Sequence, residues 1–184
     1  MVADPDRDLV EAAKSGDKVA FGKLVAHYYD LVYAVAFGVL GGREEALDVA
    51  QEVFFKVFRE LGRFQGQSKF KTWLYRISVN AAIDASRKKR PAEPIEEKTN
   101  LEAKSPSPRE EASRKELRGL IEEGLNMLPP EHRAVLVLRE WHELSYEEIA
   151  ETLQIEMGTV MSRLFYARRK LAQVMGVKFG ELEP

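Results

Sequence analysis

Leu144-Ser-Tyr-Glu-Glu-Ile-Ala-Glu-Thr-Leu153, a turn through Gln154 and Ile155, then Gly158-Thr-Val-Met-Ser-Arg-Leu-Phe-Tyr-Ala-Arg-Arg-Lys-Leu171: this stretch decides the fold. Ser145 followed three residues later by Glu148 is a capping box, in which the serine oxygen accepts a first-turn amide and the glutamate reaches back to the serine amide. Ile149, Ala150 and Leu153 then share one face of a short helix. In the following segment Val160, Leu164, Ala167 and Leu171 recur at helical spacing, and polar and basic side chains occupy the remaining faces. Glu147, Glu148 and Glu151 sit only on the first helix. Between Met157 and Gly180 there is no acid, but there are Arg163, Arg168, Arg169, Lys170 and Lys178. A helix that meets phosphates must avoid carboxylates, because each opposes the counterion release that drives binding. The spacing and charge predict a helix-turn-helix whose second helix suits a major groove. An ordinary helical hairpin with a solvated charged face would explain the spacing but not the charge asymmetry.

Working outward, the formal net charge of −2 hides a segregation of charge. From Arg63 to Arg90 the bases Arg63, Lys69, Lys71, Arg76, Arg87, Lys88, Lys89 and Arg90 face Asp84 alone. From Pro91 to Ser113, Glu93, Glu96, Glu97, Glu102, Glu110 and Glu111 outnumber Lys98, Lys104 and Arg109. Two basic segments flanking an acidic one predict two nucleic-acid contacts. The chain has no cysteine, which excludes a disulfide framework and thiolate zinc sites. His27, His132 and His142 are too scattered for a metal cluster, no cofactor is expected, and no catalytic set is spaced for an enzyme. The acidic start Met1–Asp8 lacks an apolar signal core, and Leu31–Leu40 is too short to span a bilayer. A cytoplasmic protein with no membrane insertion is expected.

No period-two run is long enough for a strand, so the expected fold class is all-α: two small helical domains joined by a flexible linker. Asp4 is expected to cap a helix beginning at Pro5. Further helical patterns run from Phe21 to Val39, from Ala46 to Leu61, and from about Lys69 to Lys89, the last with Ser68 as its cap. Pro91, Pro94, Pro106 and Pro108 mark the linker. The expected organisation is a first domain at 1–90, a linker at 91–112 and a second domain at 113–184, the latter a four-helix unit to about 175.

The fourth helix interleaves aromatics and bases in Phe70-Lys-Thr-Trp-Leu-Tyr-Arg-Ile-Ser-Val-Asn80 and ends in Arg87-Lys-Lys-Arg90. Unpaired DNA needs rings on which extruded bases stack, at roughly 1–3 kcal/mol per base, and cations along the backbone. Phe70 and Trp73 also fit a core stripe; Phe64, the Gln65–Lys69 loop, Asn80 and the basic end are the expected contacts. The third helix instead carries Glu44, Glu45, Asp48, Gln51 and Glu52 beside Phe54, Phe55 and Phe58. Adjacent Phe54 and Phe55 cannot share one face, so an acidic, partly aromatic surface suited to a protein partner is expected.

These segments together resemble the sigma-70 family of RNA polymerase sigma factors, in particular its extracytoplasmic-function (ECF) group. The resemblance is carried by Asp48-Val-Ala-Gln-Glu-Val-Phe54, Phe70 to Asp84, Leu128-Pro-Pro-Glu-His-Arg-Ala-Val-Leu-Val-Leu-Arg-Glu140, Leu144 to Glu151 and Gly158 to Leu164. It implies a non-enzymatic subunit that binds core RNA polymerase through the β′ clamp and β flap. Asp48, Gln51, Glu52 and Phe54 would face the clamp helices. Phe64, Gln65, Ser68, Lys69, Asn80, Arg87, Lys88, Lys89 and Arg90 would meet and melt the minus-ten element of promoter DNA. Thr159, Ser162, Arg163, Phe165, Tyr166, Arg168 and Arg169 would read the minus-thirty-five element. The linker would run toward the RNA exit path. An anti-sigma factor is an implied partner and could hold the protein at the membrane. Met161, Tyr166, Gln154 and Glu156 depart from residues common in the family at those positions. The alternative is a helix-turn-helix regulator that binds a duplex operator without polymerase; it leaves the third and fourth helices unexplained.

Overall fold

Apolar residues recur at helical spacing along nearly the whole chain, and the architecture is correspondingly all-α. The computed structural model describes residues 4–88 and 119–176. The expected linker lies outside them, as do Lys89, Arg90 and Lys178. In chain order the elements are α1 (Arg7–Lys14), α2 (Lys18–Leu40), α3 (Arg43–Glu60), a 3-10 turn (Leu61–Arg63), α4 (Phe70–Lys88), α5 (helical through residues 119–126), α6 (Pro130–Glu140), α7 (Tyr146–Leu153) and α8 (Met157–Met175).

α2 is the central helix of the first half. Asp17 caps it by accepting the Val19 and Ala20 amides at 2.8 and 3.1 Å, and Gly41 ends it in the left-handed conformation, φ +81°. Leu24, Val32, Val35, Ala36 and Val39 are buried against Val53 and Val57 of α3 and Leu74 and Ile77 of α4. In the second half, Leu138 of α6, Ile149 of α7, and Val160, Leu164 and Ala167 of α8 are buried together. Each of these valine, leucine and isoleucine side chains contributes roughly 1.5–3 kcal/mol on leaving water.

The ends of α1 and α4 correct the expected caps. α1 starts at Arg7 rather than Pro5. Asp4 uses one carboxylate oxygen on the Asp6 amide, and the other accepts the Phe70 amide at 2.6 Å, 66 residues away. Ser68 therefore does not cap α4; its hydroxyl lies 3.4 Å from the Lys69 carbonyl. Beside it, the Tyr28 hydroxyl donates to Asp6. The N-terminal segment thus pins the base of the 64–69 loop to the first turn of α4.

The two halves pack directly on each other, α6 against α2 and α4, and α7 against α4.

Candidate nucleic-acid and protein-binding surfaces

The helix-turn-helix is built as the capping box dictates. The Glu148 amide donates to Ser145 Oγ at 3.1 Å and the Ser145 amide to Glu148 Oε2 at 2.8 Å. Gln154 ends α7 with φ +54°, the left-handed conformation that makes glycine common at such a turn. Glu156 is the extended residue that starts α8 and makes no side-chain cap bond. Val160, Leu164 and Ala167 turn inward, leaving Met161, Ser162, Phe165, Tyr166 and Arg169 exposed on the outer faces, with Thr159 and Arg163 half-buried. Ser162 Oγ donates to the Thr159 carbonyl at 3.1 Å, and the Tyr166 ring meets His132 of α6 edge-on.

Arg168, expected as a DNA contact, is already paired within the protein. Its guanidinium turns back to α6 and donates from Nη2 and Nε to Glu140 Oε1, at 2.8 and 3.2 Å. A charge already paired in this way offers little counterion release to a phosphate, whereas exposed Arg169 is the neighbour turned outward.

In the first half, Gln65 and Lys69 are exposed and Ser68 is half-buried, on a loop that turns at Gly66, φ +67°. The Gln67 side-chain amide donates to Gln65 Oε1 at 3.0 Å. Asn80 is exposed on α4, as are Arg87 and Lys88 at its end. Phe64, expected on the same surface, is buried beneath it. It is only 9% exposed, with its ring 5.0 Å from Trp73 and 6.1 Å from Phe70. Three rings in mutual contact are a hydrophobic anchor for the loop, and in this packing the Phe64 ring has little face open to a base. Arg87 ion-pairs with Glu131 of α6. Burial alone would raise the Glu131 carboxyl, but a backbone hydrogen bond and the Arg87 guanidinium outweigh it and hold its pKa below the ordinary value.

On α3, Asp48, Gln51 and Glu52 are exposed, but Phe54 is buried and stacks on Tyr29. The exposed aromatics are Phe55, at 63%, and Phe58, at 57%. Phe21, Val25, Tyr29, Leu47, Phe55 and Phe58 line an open groove of about 650 Å³ between α2 and α3, with Asp48 and Gln51 on its rim and the Phe54 ring at its floor. The sequence places Phe54, Phe55 and Phe58 beside the acidic residues, but the expected contact is Phe54, whereas the exposed rings are Phe55 and Phe58. A signal was present: residues 47, 51, 55 and 58 form a second stripe beside the core stripe 46, 50, 53 and 57.

Among the described residues no group of His, Cys, Asp and Glu could hold a metal ion, and no helix is long and apolar enough to cross a membrane.

Comparison with known proteins places both halves. Residues 24–92 match the family model for sigma-70 region 2, and residues 118–171 match that for sigma-70 region 4. The chain belongs to the sigma-70 family of RNA polymerase sigma factors, in its ECF group. This sigma factor is 37% identical to the RNA polymerase sigma-H factor of Pseudomonas aeruginosa, over 95% of its own length and 96% of the relative's. It is 35% identical to the ECF RNA polymerase sigma factor SigW of Bacillus subtilis, covering 88% and 92%. With the ECF RNA polymerase sigma-E factor of Escherichia coli K12 it shares 36% identity, covering 90% and 92%. Its structure resembles that of CnrH in complex with the cytosolic domain of CnrY, at a TM-score of 0.69, 29% identity and coverage of 94% and 98%. Membership makes this a transcription-initiation protein concerned with promoter recognition, in a family that binds RNA polymerase and is not catalytic. Similarity through both halves favours this reading over a simple operator-binding regulator.

Proposed function

We propose that this sigma factor docks on core RNA polymerase through the α2–α3 groove and engages the two promoter elements with α4 and α8. The observation that carries the reading is the exposed pair Phe55 and Phe58 beside Asp48, Gln51 and Glu52. Large aromatics on a concave surface are typical anchors of protein interfaces, and the carboxylates on the rim repel DNA while attracting a basic protein segment. The partner of this face is the β′ clamp; the β flap belongs to the second half. Gln65, Ser68, Lys69, Asn80, Arg87 and Lys88 line the side of the first half that opens the minus-ten element. Ser162, Phe165 and Tyr166 address base edges at the minus-thirty-five element, and Arg163 and Arg169 its phosphates. An anti-sigma factor is the proposed inhibitor, supported by the likeness to CnrH bound to a CnrY domain.

The test is a titration of core polymerase with Asp48→Lys/Glu52→Lys and, separately, with Phe55→Ala/Phe58→Ala. All four positions are exposed, so helical content should persist while affinity falls at least tenfold. Unchanged core affinity in both variants would remove α3 as the docking face.

A further inference from the structure

The start of α4 draws its cap from the far end of the sequence. The Lys69 carbonyl accepts the Trp73 amide at 3.1 Å, which makes Lys69 the residue that opens the helix. A lysine side chain has donors only, so it can satisfy none of the free amides of that first turn. The acceptor is Asp4, whose Oδ2 takes the Phe70 amide at 2.6 Å while Oδ1 takes the Asp6 amide at 3.1 Å. A carboxylate at this place also suits the positive end of the helix dipole. Asp4 is held in turn by its surroundings. Its carbonyl accepts the Arg7 amide at 3.2 Å where α1 begins, and Val10 sinks α1 into the core. Two residues on, Asp6 accepts the Tyr28 hydroxyl of α2. Burial first, and then Asp6, raise the Tyr28 pKa above its ordinary value, so the hydroxyl remains a donor. The Phe70 ring packs against Tyr28, Trp73 and Phe64, with centroids 5.5, 5.8 and 6.1 Å away.

We propose that Asp4 is a positioning residue for promoter opening: by capping α4 it holds the 64–69 loop in the geometry that engages the unpaired minus-ten strand. The inference rests on the proposed assignment of that loop to the minus-ten element. Only Gln65 to Lys69 lie between the Phe64 ring, which is fixed against Trp73, and the Phe70 amide, which is fixed on Asp4. Within the loop Gly66 makes the turn, φ +67°, and Gln67 donates to Gln65 at 3.0 Å. A short loop tied at both ends presents its side chains already ordered, and ordering them on the DNA then costs less binding free energy. Without Asp4 the ring anchor at Phe64 remains, but the helix end of the loop loses its only carboxylate acceptor at Phe70. Asp4 touches no DNA in this scheme. It acts through the backbone of α4, and the loop side chains make the contact.

The experiment compares the full-length parent with Asp4→Ala, Asp4→Asn and Asp17→Ala. Asp17 is the matched control, a carboxylate of the same half that caps α2 by accepting the Val19 and Ala20 amides. In free Asp4→Ala the Phe70 amide should exchange with solvent roughly tenfold faster by NMR, because a hydrogen bond to a charged acceptor is lost. Opening is followed by permanganate reactivity of promoter thymines, with core polymerase saturated by the protein so that docking does not limit the signal. Asp4→Ala should open the promoter roughly five- to tenfold more slowly than the parent. Asp17→Ala, with its stability loss read from the thermal midpoint, should open it at the parental rate. Asp4→Asn keeps one oxygen for the Phe70 amide and should recover most of the lost rate. Parental opening in Asp4→Ala would overturn the positioning role. So would an equal loss in Asp17→Ala, or no recovery in Asp4→Asn, since Asp4 would then be a general stabiliser of the fold. The loop assignment is tested separately by Gln65→Ala/Lys69→Ala: parental opening in that variant would sink the assignment, whereas slow opening there with normal opening in Asp4→Ala would sink the positioning role alone.

Discussion

Phe64 offers the sharpest separation between a residue that builds the DNA-binding surface and one that belongs to it. Its ring is 9% exposed and is wedged against Trp73 and Phe70. Phe→Ala at a buried site costs about 3–5 kcal/mol, and the lower end applies where one edge of the ring reaches solvent. Part of that comes from the two ring contacts, at roughly 0.5–1.5 kcal/mol each. A loss of about 3 kcal/mol is a large share of the 5–15 kcal/mol typical of a domain. It should lower the thermal midpoint by roughly 6–12 °C for a protein of this size. Phe64→Leu keeps most of the apolar volume and should lose only about 1 kcal/mol. The assay is guanidinium denaturation followed by tryptophan fluorescence, since Trp73 packs against the deleted ring, paired with permanganate reactivity of promoter thymines in the polymerase complex. If Phe64 is an anchor, promoter opening in Phe64→Leu matches the parent and Phe64→Ala loses stability first. A Phe64→Leu variant with parental stability but no promoter opening would refute this and restore the ring as a stacking platform.

On α8, Arg169→Ala should weaken duplex binding similarly across promoter sequences and lower the salt slope by about one unit, whereas Arg168→Ala should leave the slope unchanged and lower stability instead. A binding series at several salt concentrations with a melting curve for each variant distinguishes them. Ser145→Ala removes the accepting half of the capping box and should cost about 1 kcal/mol, read as a lower denaturation midpoint with no change in the contacts of α8. The packing of the two halves should also weaken in acid. Burial first, and then Lys71 of α4, hold His142 below its ordinary pKa where it meets Tyr75. The packed form thus takes up fewer protons than the opened one. Its stability is complete above about pH 6.5, the ordinary histidine value, and declines as pH falls through it toward the depressed value. Pulsed-EPR distances between spin labels at Lys23→Cys on α2 and Glu151→Cys on α7, both exposed, at pH 7.5 and 5.5 check this, with longer distances expected at the lower pH.

What was legible in advance follows the range of the interactions concerned. The capping box and the inward stripe of Val160, Leu164 and Ala167 depend on neighbours three or four residues away, so spacing alone reveals them. The α4 cap does not, because its acceptor is Asp4, 66 residues from Phe70. Adjacent residues were the second difficulty. Successive side chains on a helix differ by about 100° in direction, so Phe54 and Phe55, or Arg168 and Arg169, point to different surroundings. Composition cannot say which of each pair meets solvent. Phe54 stacks on Tyr29 and Arg168 pairs with Glu140, both partners supplied by other helices. Phe64 failed for the same reason, since its pocket exists only once α4 is in place. Buried Arg133, whose Nε donates to the Gly38 carbonyl of α2 at 2.6 Å, carried no local signal at all, because its partner lies 95 residues away in the other half of the chain.

The distribution of charge left after these pairings limits how the protein can select DNA. With Arg168 held by Glu140, the other cations of α8 are Arg163, Arg169 and Lys170, and Arg163 lies within the field of Glu131. Three contacts correspond to a slope of log affinity against log salt of about −2.7 at most. That attraction is shallow beside proteins making six to ten phosphate contacts. The second half alone should therefore bind promoter DNA weakly near physiological salt, with Ser162, Phe165 and Tyr166 supplying discrimination more than affinity. The deficit can be made up by connection. On the proposed docking, with the α2–α3 groove seated on polymerase, both DNA-reading faces would be presented to the same duplex, and the second contact would form at an effective concentration in the millimolar range. The segregation of acid to α3 and base to α4 and α8 fits that order of events. On the same proposal, an acidic docking face would repel DNA in the absence of polymerase, so the weak readers would act only with the protein partner already in place.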